Sequence, residues 1–354
     1  MFDLKILVLN PGSTSTRIAV FEDNECIENI QIQHTNDVLK KPLFPDQYEI
    51  RKKEILNSLT NRGYKFSDFH AISARGGRLK PIKSGIYRIN KKMVQHAKIG
   101  LQGQHPANLS VVMAWDFSRE FNNIPSFTVD PISVDELEDF VRITGIKDIK
   151  RCSLSHALNM KAVAKKASQD IDKDYDSAKL IIVHLGGGGS VSAHLRGKMI
   201  DLYNSDKEGP FAVERAGFIP TLDLIEYIEK KQLSTQKIIE LLAREGGLFS
   251  YFGTRDMKRI EDLYKNDSYV KLVMKAYIYN ISKSVCSFLP LFKGKIDAVV
   301  ITGGVCHSKL VQKLINEQIS FLGRLLWYPG EFEMESLALN AFSVLKGESR
   351  ANEY

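Results

Sequence analysis

The sequence of 354 residues has few cysteines and no long apolar run. Its four cysteines, Cys26, Cys152, Cys286 and Cys306, show no CxxC spacing and no clustering with histidine, which disfavours a zinc or redox motif. Free thiols in a reducing compartment are therefore expected. No apolar stretch approaches the roughly 20 residues that span a bilayer, so the sequence predicts no membrane segment.

Signals for export or for nucleic-acid binding are also lacking. The opening MFDLKILVLN has no basic region and no small-residue cleavage site, and is not typical of a signal peptide. The formal charge is +7, from 49 Lys and Arg against 42 Asp and Glu, with bases and acids interleaved. A mixed solvated surface is favoured over a nucleic-acid-binding face. We expect a cytoplasmic protein with neither a nucleic-acid nor a membrane partner.

Two common nucleotide-binding patterns are missing. No GxxxxGK[ST] motif occurs, which excludes a P-loop kinase. Neither half shows regular βαβ alternation from its first strand, which disfavours a Rossmann fold. What the sequence does contain is one pattern used twice: an apolar strand, a turn rich in glycine and serine, and an alternating strand. The two copies are LKILVLNPGSTSTRIAVF, residues 4–21, and KLIIVHLGGGGSVSAH, residues 179–194.

Each copy predicts a β-hairpin whose turn of small residues exposes backbone N–H groups, and such a turn can bind phosphate oxygens. The alternative is an ordinary hairpin that needs glycine for its turn. Two copies about half a chain apart favour an internal duplication, with two phosphate loops facing each other across a cleft. Further predicted strands are Cys26–Gln33, His70–Ala74, Ser126–Val129, Lys198–Tyr203 and Ala298–Thr302. Predicted helices are Tyr48–Arg62, Ala107–Phe121, Leu222–Lys231, Thr235–Arg244, Tyr269–Leu289 and Glu335–Lys346.

Nine short motifs in order resemble those of the butyrate kinases, within the acetokinase family. They are NPGSTSTR (10–17), RGGRLKPI (75–82), QHPAN (104–108), VDP (129–131), SHALN (155–159), HLGGGGS (184–190), GPFAVERAG (209–217), TGG (302–304) and ESLA (335–338). The family belongs to the superfamily of acetate and sugar kinases, actin and heat-shock chaperone ATPases. The resemblance implies an α/β fold with two ribonuclease-H-like domains around a central nucleotide cleft. We expect residues 1–150 to form the first domain and 151–330 the nucleotide-binding second domain, with 331–354 packing back on the first.

The reaction implied is ATP plus a short-chain carboxylate giving ADP plus an acyl phosphate. A carboxylic acid with a pKa near ~4–5 is ionised at pH 7, so no general base is needed. Catalysis then requires positioning and cationic charge around the transferred phosphoryl group. This chemistry directs attention to arginine, histidine and groups that hold Mg2+.

The resemblance implies roles for particular residues. Implied catalytic residues are Arg215, Asp130, His156 and His184, and implied substrate-binding residues are Arg75 and His105. Residues implied to bind ATP or ADP are Ser13, Ser15, Arg17, Gly186, Gly187, Gly188, Gly189, Asp256, Lys258, Thr302, Gly303 and Gly304. The magnesium-associated pair is implied to be Asn10 and Glu335.

Each assignment has a structural alternative. Arg215 could form an ordinary surface ion pair, His184 could be a satisfied core histidine, and Asp130 could cap a turn. Glu335 could simply complement a helix dipole. Arg78 and Cys306 depart from the family pattern, which leaves the acyl-chain preference open.

Rival functions also stay open at the sequence level. An acetate or propionate kinase is the alternative within the same class, and the Arg75-Gly-Gly form argues against it. A non-catalytic actin-like nucleotide switch would have no reason to keep Arg215, His156 and Asp130 together. A sugar kinase would require a general base. The expected partner is a small carboxylate substrate, and the chain is expected to form a homo-oligomer, a dimer or higher.

Overall fold

The structure, a computed structural model, describes residues 4–204 and 206–354. Its strands are β1 (Lys5–Pro11), β2 (Ser15–Glu22), β3 (Glu25–Gln33), β4 (Ala71–Arg75), β5 (Ile86–Arg88), β6 (Ser126–Val129), β7 (Leu180–Leu185), β8 (Gly189–Leu195), β9 (Lys198–Tyr203), β10 (Ala298–Gly303) and β11 (Leu325–Pro329). Its α-helices are α1 (Asn36–Leu39), α2 (Tyr48–Thr60), α3 (Lys91–Ile99), α4 (Ala107–Glu120), α5 (Ala157–Asp170), α6 (Thr221–Lys231), α7 (Thr235–Ala243), α8 (Gly247–Phe252), α9 (Met257–Asn266), α10 (Ser268–Cys286), α11 (Lys309–Ile319) and α12 (Glu333–Leu345).

Contacts divide the chain into two compact units. The first comprises the chain up to Asp135, the short segment Ala157–Asn159 and the segment Phe332–Tyr354. The second comprises Glu136–His156 and Met160–Glu331. This division differs from the expected boundary at residue 150, because the stretch 136–156 is bonded to strands of the second unit. Within that stretch Glu138 N donates to Ile200 O at 3.0 Å and Arg151 Nη1 donates to Asp201 Oδ1 at 2.9 Å.

A mixed sheet with strand order β3-β2-β1-β4-β6-β5 lies at the centre of the first unit. Strands β1, β2 and β3 are antiparallel neighbours, β1, β4 and β6 run parallel, and β5 is antiparallel to β6. Leu7 and Leu9 of β1 belong to a core shared with residues of α2, α3 and α4. Ile6 and Val8 belong to a second core shared with α12. Alternate residues of a strand face opposite sides of the sheet. The segment from Ile6 to Leu9 is therefore continuously apolar, because helices cover both faces of β1.

The second unit repeats this arrangement with strand order β11-β10-β7-β8-β9. Strands β7, β8 and β9 are antiparallel neighbours, and β7, β10 and β11 run parallel. One core joins Ile181, Val183 and Ile301 of the sheet to α10 and α11. Both predicted hairpins are therefore confirmed, and each is followed by a third antiparallel strand. In both sheets the first strand of the hairpin also pairs with a later parallel strand, which places the turn beside that strand's carboxyl end.

Most predicted elements are found with ends shifted by a few residues. One shift matters for the site: the last helix begins at Glu333, two residues before the predicted start at Glu335. Phe332 precedes it with non-helical backbone angles, and its N–H donates to Asn159 Oδ1 at 2.9 Å. No helix among the described residues is long and apolar enough to cross a membrane.

Candidate active site

In the first unit, several predicted site residues lie where β1 and β4 end. Asn10 is the second-last residue of β1 and Arg75 is the last residue of β4. Because these strands are parallel neighbours, their carboxyl ends meet at one edge of the sheet. Arg75 Nη1 donates to Asn10 Oδ1 at 3.4 Å. The structure thus brings two of the predicted site residues into contact.

The third member of this cluster is Glu333. Asn10 Nδ2 donates to Glu333 Oε2 at 2.8 Å, and Arg75 Nη2 lies 3.1 Å from Glu333 Oε1. Glu333 is 2% exposed, whereas Glu335 is exposed. Residues two apart on an α-helix point about 200° apart, so only one of the two acids can face Asn10. Glu333 is therefore the acid that contacts Asn10, and the magnesium role predicted for Glu335 stays a prediction.

The first predicted phosphate loop is the turn between β1 and β2. Gly12 N donates to Ser15 O at 2.7 Å and closes it. Ser13 is exposed at the tip, and Ser15 and Arg17 are partly buried on β2. Arg17 is the direct antiparallel partner of Asn10. Neighbours of this kind have side chains on one face of the sheet, so Arg17 is placed beside the Asn10 cluster.

Asp130 directly follows β6, the next parallel strand. It is 4% exposed, and its backbone has a positive φ of 37°, a conformation that asparagine and aspartate tolerate better than most residues. Its Oδ1 accepts hydrogen bonds from Ser84 Oγ at 2.6 Å and Gly85 N at 2.8 Å. This carboxylate therefore binds the turn before β5, as the turn-capping alternative predicts, and its catalytic role stays a prediction.

His105 lies one residue before Pro106, at the start of α4. Its Nδ1 accepts from Ala107 N at 3.1 Å, so the side chain caps the first turn of the helix. The segment after Arg75 packs on the same helix: Arg78 N donates to Asn108 Oδ1 at 2.8 Å, and Ser110 Oγ donates to Arg75 O. The start of α4 and the Arg75 segment are thus neighbours.

In the second unit the structure brings together the two predicted histidines. The rings of His156 and His184 are stacked, with centroids 4.0 Å apart and planes 14° from parallel. His184 lies on β7 and is 3% exposed, and His156 immediately precedes α5. His156 Nδ1 and Ser190 Oγ share a hydrogen bond of 3.0 Å. Ser190 follows the four glycines, so this histidine is tied to the second predicted phosphate loop.

Arg215 lies against that glycine loop. A Cβ atom built on Gly188 would be 2.6 Å from Arg215 Nη1 and 3.0 Å from Nε, closer than carbon normally approaches. Glycine at 188 is therefore required for the guanidinium to lie over the loop. Arg215 Nη1 also lies 2.6 Å from Asp206 Oδ1, and Asp206 is not among the predicted site residues. Asp206 lies only nine positions before Arg215, in the polar segment that precedes Gly209. This short separation is the feature of the sequence that could have predicted the ion pair.

Thr302 and Gly303 end β10 beside the hairpin, and Gly304 follows the strand. Thr302 is the parallel partner of His184, and Gly303 has a φ of +100°. A Cβ at Gly303 would lie 2.2 Å from Leu185 O, so only glycine allows this approach. Asp256 is exposed and caps α9, accepting from Lys258 N at 2.9 Å. That observed contact is a capping role, and the role of these two residues in nucleotide binding remains a prediction.

Possible ligands for a metal ion are found as a pair rather than as a larger cluster in the described residues. No group of three or more His, Cys, Asp or Glu that could hold a metal occurs within residues 4–204 and 206–354. Asn10 and Glu333 nevertheless offer an amide oxygen and a carboxylate at one place. Mg2+ is typically held by one or two carboxylates together with substrate phosphates, so this pair fits such an ion.

The protein has a two-unit α/β fold of the actin-like ATPase type, with a hairpin turn rich in glycine or serine in each unit. The acetokinase family matches residues 147–329. A probable butyrate kinase of Clostridium botulinum is 38% identical over 353 residues, 99% of each chain. Butyrate kinase 1 of Clostridium acetobutylicum is 37% identical over 354 residues, again 99% of each. The chain belongs to the acetokinase family.

Solved structures show the same fold. An acetate kinase of Porphyromonas gingivalis has a TM-score of 0.79 at 20% identity, covering 97% of this chain and 100% of that one. A propionate kinase of Francisella tularensis has a TM-score of 0.74 at 21% identity, covering 95% and 98%. The α/β fold expected from the nine motifs and the resemblance itself are both confirmed.

Proposed function

We propose that this protein transfers the γ-phosphoryl group of ATP to butyrate or a similar short or branched carboxylate. The observation that supports this acceptor is the 37–38% identity, over essentially the whole chain, to two proteins described as butyrate kinases. The acetate and propionate kinases among the solved structures are only 20–21% identical and support the fold alone. Acetate or propionate stays the alternative acceptor named in the sequence analysis.

The acceptor needs no activation, because its carboxyl group is already ionised at neutral pH. The barrier comes from bringing one anion onto another. Arg215 is the group we assign to this task, because its guanidinium lies over the Gly188 backbone of a phosphate-type loop. A guanidinium stays protonated and presents paired donors, so it can stabilise a planar phosphoryl group more than either ground state.

We assign the carboxylate side to the first unit. Arg75 is the proposed substrate ligand, and its Nε is buried without a hydrogen-bond partner among the described residues. A buried donor of this kind is costly unless a ligand uses it. His105, at the start of the helix on which the Arg75 segment packs, is the second proposed ligand. Asn10 and Glu333 would hold magnesium, which when bound neutralises charge on the β- and γ-phosphates.

We assign nucleotide binding mainly to the second unit. Glycines 186–189 would bind phosphate through backbone N–H groups, and residues 302–304 would form the adenosine shelf. His156 and His184 would donate to phosphoryl oxygens, and Asp130 would order the groups at its sheet edge. Ser13, Ser15 and Arg17 would bind phosphate in the first loop. A cytoplasmic location and a homo-oligomeric state, a dimer or higher, are proposed from the family resemblance alone.

The test is acyl phosphate formation from acids of two to six carbons, with ATP and magnesium, trapped by hydroxylamine. Each methylene buried in an apolar pocket contributes about 1 kcal/mol, so butyrate or isobutyrate should exceed acetate by about ten-fold or more in kcat/KM. If acetate proves the best substrate, the butyrate assignment fails while the carboxylate kinase class stands. If no acid in the series is phosphorylated, the class itself fails.

A further inference from the structure

A fully buried arginine lies beneath the first phosphate loop. Arg51 of α2 is 0% exposed. Its Nη1 donates to the backbone carbonyl of Gly12 at 2.8 Å and to Thr16 Oγ1 at 3.4 Å, and its Nη2 donates to Gln47 Oε1 at 2.8 Å. Burying a guanidinium is costly unless its donors are used. Two of its three hydrogen bonds are to the loop and the third is to Gln47, while its Nε is buried without a partner among the described residues.

The contact with Gly12 fixes the direction of a particular N–H group. In a trans peptide the carbonyl oxygen of one residue and the N–H of the next point in opposite directions. Because the Gly12 carbonyl points at Arg51, the N–H of Ser13 must point away from it. Ser13 is exposed at the tip of the turn. Arg51 therefore orients the first backbone donor that the loop can offer to a phosphate.

A second set of contacts holds the other end of the loop. Thr16 Oγ1 and His34 Nε2 share a hydrogen bond of 2.8 Å, and His34 Nδ1 lies 2.9 Å from Glu54 Oε2. His34 N also donates to Thr14 O at 3.1 Å. Burial lowers the pKa of Arg51 to about 10, so the guanidinium stays charged at neutral pH. Hydrogen bonds thus hold the chain on both sides of the loop's tip, at Gly12 and at Thr16.

We propose that Arg51 is a positioning residue for phosphate binding: it holds Gly12 and Thr16 so that the turn presents its N–H groups to the phosphates of ATP. This inference rests on the proposed function, because it takes the loop to be a phosphate site. Arg51 itself does not touch the nucleotide in this account. Its effect should therefore depend on how many phosphates a ligand carries.

The experiment measures the binding of ATP and of adenosine to the full chain and to Arg51→Lys by calorimetry. Lysine keeps the positive charge but lacks the planar guanidinium, whose two terminal nitrogens bind Gly12 O and Gln47 Oε1 at the same time. We expect Kd for ATP to rise about ten-fold and Kd for adenosine to stay within about two-fold, with KM for ATP rising more than kcat falls. Arg62→Lys is the matched control: this arginine follows α2, is 41% exposed and donates to Ser58 O at 3.0 Å.

Equal weakening of ATP and adenosine, or no change in either, would overturn the proposal. If Arg51→Lys does not fold, Gln47→Leu decides, because it keeps Arg51 and removes the acceptor of its Nη2. That variant should weaken ATP by about three-fold and leave adenosine unchanged, and the absence of this selectivity would count against the proposal. The measurement needs no acceptor. If the wild-type protein phosphorylates no carboxylate, the proposed function fails. The Kd values for ATP and adenosine still test whether Arg51 positions the loop.

Discussion

Three side chains of the first unit, Asn10, Arg75 and Glu333, form a partly or fully buried cluster in which each contacts the other two. Removing one charge from such a cluster leaves the other uncompensated, which costs more than an exposed ion pair contributes. The cluster is therefore structural as well as chemical. A test of its magnesium role must separate the two effects.

Glu333→Gln and Glu335→Gln provide that separation. Glutamine at 333 keeps the side-chain shape but loses the charge facing Arg75, so we expect a loss of about 1–3 kcal/mol in the free energy of unfolding. If Glu333 also holds magnesium, the magnesium concentration for half-maximal activity should rise by about ten-fold or more. Glu335 is exposed, and its variant should match wild type in both. If the Glu335→Gln variant instead needs the higher magnesium concentration, Glu335 is the magnesium ligand, as the sequence predicts.

Arg215→Ala should abolish turnover while ATP binding is largely kept. Comparable arginines in phosphoryl transfer contribute roughly 10³–10⁵ in kcat, about 4–7 kcal/mol. Arg215→Lys should restore only part, because a point charge cannot span two oxygens. The measurements are kcat, Kd for ATP and the thermal midpoint of both variants. A folded Arg215→Ala variant with near-normal kcat would mean that Arg215 serves only its ion pair with Asp206.

At the scale of elements, the turn between β7 and β8 has a glycine at 188 where the Arg215 side chain packs on it. A Cβ at Gly188 would meet the far end of the Arg215 side chain, 2.6 Å from Nη1, rather than fixed backbone. The side chain can move aside at little cost in stability. The consequence of substitution should therefore appear in catalysis.

Gly188→Ala should lower kcat by about ten-fold or more, since a displacement of about 1 Å can cost a hundred-fold in a positioned group. Its thermal midpoint should stay close to that of wild type. Gly145→Ala is the control, because a Cβ there meets nothing within 4 Å. A Gly188→Ala variant that unfolds several degrees earlier, with kcat per folded molecule unchanged, would show that the glycine serves the fold alone.

Local signals predicted most elements well. The predicted strands Ser126–Val129 and Lys198–Tyr203 coincide with β6 and β9, because alternation and flanking turns mark their ends. Helix α3 was missed, although Asn90 caps it through Met93 N at 3.0 Å and Gly100 ends it with a φ of 63°. A helix of nine residues has few turns in which to show its period. The residues at its two ends, Asn90 and Gly100, are typical helix caps and could have predicted where it begins and ends.

The site was less predictable where distant contacts decide it. The segment Glu331–Glu335 has acids at every second position, and its period cannot tell which one faces Asn10. The choice depends on Asn159, far away in sequence, which binds Phe332 N and fixes where α12 begins. Arg51 is similar: nothing in α2 alone marks it as a residue under a loop 39 positions earlier. The glycines, the histidines and Arg215 could be proposed from motifs because each lies within a short continuous segment of the sequence, and their roles stay predictions.

For the molecule as a whole, both units bury a histidine in a polar network that no catalytic role explains. Burial and the nearby Arg51 lower the pKa of His34 to about 4. Burial and Lys161 lower the pKa of His194 well below its usual value. Around His194 stand the hydroxyls of Tyr175 and Ser192, which share hydrogen bonds of 2.7 and 2.8 Å with its ring.

These two histidines predict that the protein loses stability in mild acid. A histidine whose folded pKa lies below its unfolded value near 6.5 binds protons preferentially in the unfolded state, so stability falls as pH drops below 6.5. For His34 the fall should continue to about pH 4. Between pH 6.5 and 5 each fully shifted histidine can cost up to about 2 kcal/mol. Glu54, 2.9 Å from His34, would bind its protonated ring and reduce that cost, so the larger share should come from His194.

The measurement is urea unfolding at pH 7.5 and pH 5.0, with tryptophan fluorescence and circular dichroism followed separately because two units need not unfold together. His194→Gln should be less stable than wild type at pH 7.5, since it disturbs both hydroxyl contacts, yet should lose less stability on acidification. His70→Gln is the control: this histidine is exposed and its Nδ1 accepts from Lys5 N at 3.0 Å. An acid-induced loss that is the same in wild type and in His194→Gln would show that other groups carry it. A larger loss in His34→Gln than in wild type would mean that His34 becomes charged against Glu54 and stabilises the fold, opposite in sign to what its buried position predicts.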